Sequence, residues 1–291
     1  MIVFTTFKRI LLASAALGFA AHASASTLTL DVYNPGEKAI FPVTSVLVSG
    51  EKDAILVDAQ FGKSQAEHVV EKIRASGKQL TTIYISHGDP DYYFGLDTLT
   101  AAFPNAKVLA SGPTVEHIKA TVDGKLAFWG PKMGADVPKK TLVPQVLQGS
   151  LTLEGQKLEI IGLDGKQPDR TFVWIPSIKA VVGGVVVAEN IHVWMADTQT
   201  AQSHTDWLGT LKTIEGLKPK TIIPGHYLGE SARSVAAVHF TADYIKAFDE
   251  ETAKAKDSAE LITAMKKRYP DLGEESSLEL SAKVAKGEMK W

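Results

Sequence analysis

The sequence predicts an α/β fold in which two sheets pack face to face with helices outside them. Three observations predict it. Short strand-like runs come first and give way to strand–helix alternation. The same succession starts again after residue 150. No Gly- or Ser-rich linker divides the chain, so residues 26–291 read as one domain with a helical C-terminal tail.

Residues 27–34 (TLTLDVYN) alternate apolar and polar side chains, the period of a half-buried strand. Residues 43–48 and 54–58 are two further strands, and the turn-rich link 49–53 makes them a hairpin. Between 63 and 75, Ala66, Val69, Val70 and Ile73 share one helical face, and Gly77 stops the helix. Residues 82–86 (TIYIS) form a short buried strand that runs directly into His87. A helix over 95–103, a strand over 107–110 and a helix over 113–128 follow, then a proline-rich surface loop over 130–144 that crosses toward a cleft. Strands are expected at 151–153, 158–161, 171–175, 180–187 and 221–223, with a helix over 203–217 that His204 and Thr205 are placed to cap.

The chain has 291 residues, 45% apolar and 22% charged, with a net charge of −2. That composition is ordinary for a globular protein. Residues 1–25 read as a secretory signal peptide. Lys8 and Arg9 precede the apolar run 10–20, and Ala23-Ser24-Ala25 supplies a cleavage site that would leave Ser26 first. The run is too short to cross a bilayer, which takes about 20 residues. Localisation in the periplasm, or secretion, is the expectation, with no stable membrane insertion afterwards. Removing the leader takes away two cations and no acid, so the net charge becomes −4. No basic stripe remains for nucleic acid. With no cysteine, the chain forms no disulfide, and any metal must be held by nitrogen and oxygen.

The segment 85–95 (ISHGDPDYYFG) carries most of the chemistry. A buried strand ends, and His87, Asp89 and Asp91 follow at alternate positions. Imidazole and carboxylates so spaced suit zinc, iron or manganese. The plainer alternative is an Asp-Pro-Asp turn with a helix-capping aspartate. Later, residues 221–226 (TIIPGH) deliver His226 from a short strand through a Pro-Gly turn.

In this order and context the chain resembles the metallo-β-lactamase superfamily over roughly residues 43–227. The family's loop reads His-x-His-x-Asp-His-x-x-Gly. A third His follows in Gly-His-Thr-Pro-Gly, then Gly-Asp on a later strand, and finally Pro-Gly-His. The resemblance implies a four-layered αββα sandwich with the active site on one edge of the sheets, and it includes Asp58 in the AILVDA strand. His87, Asp91 and His226 match the family's residues. Asp89 stands at the second His, where flavodiiron proteins on this fold also place an acid. Tyr92 replaces the next His, Lys166 falls at the third-His turn, and Gly184 falls where a bridging carboxylate is usual.

These departures disfavour a two-metal site. His87, Asp89, Asp91 and His226 remain as ligands for one ion at most, zinc or else iron or manganese, and the site is also consistent with no ion. In that case Lys166 would supply the positive charge in the cleft. On this alignment, Lys166→His is expected to tighten zinc binding.

Two functions follow. One is an MBL-fold hydrolase of a small-molecule ester, lactone, thioester or amide. Asp91 would orient or deprotonate water, and Lys166 and Tyr92 would hold the oxyanion. The other is a metal-free pseudoenzyme that binds a small anion. His192 and Trp194 are candidates for the cleft mouth. Tyr92, Tyr93, Phe94, Phe128 and Trp129 form either an aromatic wall or part of the core. His68, His117 and His239 read as surface or packing residues.

Overall fold

A computed structural model describes Met1, Ile2 and residues 27–291; the expected signal peptide therefore lies almost wholly outside the described residues. The first half runs β1 (Thr29–Tyr33), β2 (Ser45–Ser49), β3 (Asp53–Val57), α1 (Lys63–Ser76), β4 (Gln79–Ile85), α2 (Pro90–Tyr93), α3 (Leu96–Ala102), β5 (Lys107–Ala110) and α4 (Gly112–Met133). The second half runs β6 (Gln145–Val146), β7 (Leu151–Leu153), β8 (Gln156–Ile161), β9 (Phe172–Ile175), β10 (Ala180–Val182), β11 (Ala188–Glu189), α5 (Ala201–Gly216), β12 (Thr221–Ile222) and β13 (His226–Tyr227). Three helices close the chain: α6 (Val235–Lys254), α7 (Ser258–Arg268) and α8 (Glu275–Ala285).

The first sheet has the order β1-β2-β3-β4-β5-β6 and the second β12-β10-β9-β8-β7. In the first, β1 to β3 are antiparallel neighbours and β3 to β6 run parallel. Alternation along each strand divides the apolar side chains between two faces. Val46, Val48, Ile55, Val57 and Tyr84 meet Leu158, Val173, Ile175 and Val182 between the sheets. Leu47, Leu56, Ile83 and Ile85 point the other way, onto α1, α3 and α4. Phe172, Trp174, Val181 and Ile222 face α5 to α8. Three apolar interfaces thus separate four layers, αββα. Each fully buried Leu, Ile or Val contributes about 1.5–3 kcal/mol, and a one-residue slip in any central strand would turn its apolar set to the wrong interface.

Three expectations need correction. Helix α4 runs past Phe128 to Met133, with Pro131 inside it, so the surface loop is shorter than expected. The strand expected over 180–187 is broken at Gly183-Gly184, both at positive φ, and only β10 remains. His204 and Thr205 lie inside α5, whose cap is Thr200 in a reciprocal box with Ser203. His204 instead ties α5 to its surroundings, with Nδ1 on Asp249 and Nε2 on the Thr198 carbonyl, both at 2.6 Å.

Candidate functional site

The cleft opens where β4 ends. Asp58, just after β3, accepts the Ser86 amide at 2.8 Å and its hydroxyl at 2.6 Å, and the Ser86 hydroxyl accepts the Gly184 amide at 2.7 Å. This fixes the entry to the loop. Burial pushes the Asp58 carboxyl up to about 7, against the lowering effect of the Ser86 hydrogen bonds. Pro90 then occupies the first turn of α2, where its fixed φ suits a helix start.

Asp89 stands at the N-cap of α2 but makes no capping bond with its side chain. Its carboxylate turns to Lys125 Nζ at 3.3 Å, with His87 Nδ1 3.5 Å from its other oxygen. Asp91 Oδ2 lies 2.7 Å from His226 Nε2. The other nitrogen of His226 lies 3.2 Å from the Tyr92 hydroxyl. Burial disfavours the imidazolium of His226, but the hydrogen bond and charge of Asp91 outweigh it, and its pKa is raised. Burial drives the Tyr92 phenol well above its ordinary range, so it is neutral. Tyr92 is fully buried, and its hydroxyl is spent on His226.

Lys166 does not join this group. It is exposed, and it has no hydrogen bond or ion pair among the described residues. The cation from its segment is Arg170, buried, with its guanidinium 4.3 Å from the centre of the Trp207 ring. Burial lowers the Arg170 pKa, while the charges of Asp197, Asp89 and Asp169 act to raise it; a guanidinium so placed stays charged. Its Nε and Nη2 have no hydrogen-bond partner among the described residues. Beside it, His117 Nδ1 pairs with Asp169 at 3.4 Å. That hydrogen bond draws Asp169 down to about 2 and raises His117. Burial, then the charges of Arg170 and His117, hold His87 well below its usual pKa and hence neutral.

Gly184 is more than a lost ligand. At φ +79°, a Cβ there would come 2.1 Å from the Thr171 carbonyl oxygen. No aspartate fits at that position with this backbone.

The wall of the cleft is aromatic. Phe41 packs edge-on against Trp129 at 5.0 Å, and Trp194 against Trp291 at 5.1 Å. Asp197 accepts both Trp194 Nε1 (2.5 Å) and Trp291 Nε1 (2.6 Å), and Lys125 Nζ lies 4.4 Å from the centre of the Trp291 ring. With Asp89, Asp91, His226 and Glu274, these rings line a narrow cleft, with a cavity of about 50 Å³, that opens to solvent.

Among the other aromatic candidates, Trp129 and Trp194 line the cleft, whereas Tyr93 and Phe94 are core and Phe128 packs on Trp291. His192 is buried against Tyr244 at 3.1 Å, and burial lowers its pKa to about 4. His68 and His239 are exposed, whereas His117 belongs to the site. Lys125, Arg170, His117 and Glu274 were missed by sequence reasoning. The helical spacing of Lys125 and Trp129, one turn apart, was a signal for the first.

The donors do not fit a metal ion. Asp89 is engaged by an ammonium, Asp91 and His226 spend their facing atoms on each other, and a buried guanidinium acts on His87. Among the described residues, no three His, Asp or Glu side chains have the geometry to hold one.

Residues 40–226 match the metallo-beta-lactamase superfamily, and the chain belongs to that family. Its members are generally hydrolases and usually bind zinc. The fold is similar to that of the metallo-beta-lactamase family protein TTHA1429 from Thermus thermophilus, with a TM-score of 0.64 and 16% identity over 89% of this chain and 91% of that one. The metallo-beta-lactamase from Pontibacter korlensis aligns with a TM-score of 0.51 and 17% identity, over 77% of this chain and 96% of that one. A stretch of 73 residues, 25% of this chain, is 37% identical to YobT of Bacillus subtilis strain 168 and spans 31% of that protein's length.

Proposed function

We propose that the chain is an exported hydrolase that opens an ester, lactone, thioester or amide carbonyl in a small molecule, at a metal-poor site. The observation that carries this reading is the Asp91–His226 pair at 2.7 Å in the wall of an aromatic cleft that also holds a lysine. His226, fixed by Tyr92, holds one oxygen of Asp91, which leaves Oδ1 for water. Asp91 takes a proton from that water as its oxygen adds to the carbonyl carbon. Lys125, already placed by Asp89, faces the developing oxyanion in the role first given to Lys166. The aromatic wall accepts the apolar part of the substrate. The signal-like leader supports export, and a mature N-terminus found at Met1 after expression in a Gram-negative host would overturn that part.

The test is turnover of an ester, lactone, thioester and amide panel before and after dialysis against a chelator, with Asp91→Asn as control. Turnover that survives the chelator and falls by about 10²–10⁴-fold in Asp91→Asn is expected. A parent inert to the whole panel would favour a second reading, a metal-free binding protein for a small anion. What favours that reading is the buried Arg170 guanidinium with two unpaired nitrogens.

A further inference from the structure

The reading above leaves the leaving group without a proton donor. His226 is tied at both nitrogens, and Lys125, placed between Asp89, Asp197 and the Trp291 ring, is the oxyanion's partner. One further acid lines the cleft: Glu274, which lies beyond the part of the chain that matches the family.

Local structure does not explain this residue. Glu274 stands at the N-cap of α8, where Ser, Thr, Asp or Asn would satisfy the free amides, yet its side chain makes no capping bond. Its backbone is left-handed, at φ 61° and ψ 45°, which is strained for a residue with a Cβ. The strain is held in place from both sides. Gly273 accepts the His192 amide at 2.8 Å and bridges to Ile191, and Ser281 accepts the Met195 amide at 2.9 Å. Leu278 and Ala282 anchor the helix in the core against the second sheet. The result carries the carboxyl into the cleft. Ser277 donates to Oε2 at 3.3 Å, and Oε1 has no protein partner among the described residues.

We propose that Glu274 is the catalytic residue that protonates the leaving group. Water adds to the carbonyl carbon as Asp91 accepts its proton. The tetrahedral oxyanion collapses, the bond from carbon to the leaving oxygen, sulfur or nitrogen breaks, and Glu274 transfers its proton to that atom. A carboxylic acid and an alcohol, thiol or amine are released. Asp91 then holds a proton and Glu274 a charge, and solvent in the cleft returns one proton from the first to the second. Burial raises the Glu274 carboxyl pKa, as does the charge of Asp91, while His226 and the Ser277 hydrogen bond oppose them.

The inference rests on the hydrolase reading, and a leaving-group series tests the two separately. The probes are p-nitrophenyl, phenyl and ethyl phenylacetate, whose leaving groups need a proton increasingly. Glu274→Gln, nearly isosteric, should lose little kcat on the p-nitrophenyl ester and about 10²-fold or more on the ethyl ester. Asp91→Asn should fall on all three alike. An equal loss across the series in Glu274→Gln, or no loss on the ethyl ester, overturns the proton-donor role and leaves the hydrolase reading standing. The parent itself gives a second measurement that does not depend on a variant folding: its rate should vary only weakly with leaving-group pKa, and a steep dependence overturns the proposal. A parent inert to these esters and to the lactone, thioester and amide panel overturns both.

Discussion

Two loops reach the same edge of the sandwich, and they are held very differently. Residues 86–91 follow β4 and are tied to other strands: Asp58 grips Ser86 twice, and Ser86 grips Gly184. Residues 162–171 precede β9; their backbone is held by their own turns, Gly165 to Gly162 and Arg170 to Gln167, and side chains alone tie them outward, Gln167 to the Ser203 carbonyl, Thr171 to the Ser86 carbonyl and Asp169 to His117. Position in the first loop fixes which way a side chain points. In the second, the turn chemistry decides. The residue aligned with a family ligand, Lys166, faces water, while Asp169 is partly buried against His117 and Arg170 is buried. In this chain the family's pattern reaches the cleft from the loop that is tied to neighbouring strands, and not from the loop whose backbone is held by its own turns.

The comparison breaks most easily at Arg170. Its charge acts on Asp197, Asp89 and Asp169 through space, with no ion pair to any of them among the described residues, so removing it should cost about 0.5–3 kcal/mol, the range of an ordinary destabilising substitution. Arg170→Met keeps a stem against Trp207, so urea unfolding should report mainly the lost charge. Should the variant instead match the parent's midpoint, Arg170 is not what balances these acids.

A smaller effect separates the loops by pH. The His117–Asp169 bond holds Asp169 near 2, below its unfolded value of about 4. Its contribution is complete above about pH 4 and is lost as pH falls toward 2. His117 is raised by the same bond, so its share is complete below its unfolded value of about 6.5 and is lost as pH rises through its folded pKa. His117→Ala should therefore flatten the fall in melting temperature between about pH 4 and 2. An acid limb as steep as the parent's would mean that the pair does not form.

Much of this was legible in the sequence, and what was not has physical causes. Alternating strands and the helical face of α1 pointed to the layers, because burial on a known face follows from side-chain period. His87, Asp89, Asp91 and His226 were legible because each leaves a strand end or a Pro-bounded turn. Lys125 and Glu274 were not, since both come from helices whose placement over the cleft is a tertiary fact. Tyr92 was placed at the site as an oxyanion holder, and its hydroxyl lies against His226. A phenol there is a poor ligand, and the sequence does not reveal that its hydroxyl would turn back to His226.

The smallest expected effect is the sharpest for the comparison. On alignment alone, Lys166→His restores the third imidazole and tightens zinc binding. With Lys166 exposed and unpaired, the new imidazole would stand in water, while Lys125 still holds Asp89 and Arg170 still sits beside His87. An exposed substitution of this kind shifts stability by about 0.5 kcal/mol or less. Zinc affinity, measured by competition with a chromogenic chelator, should equal the parent's. Tighter binding by Lys166→His would mean that the 162–171 turn swings its ligand position into the cleft and displaces the cations there, and the contrast between the two loops would fail.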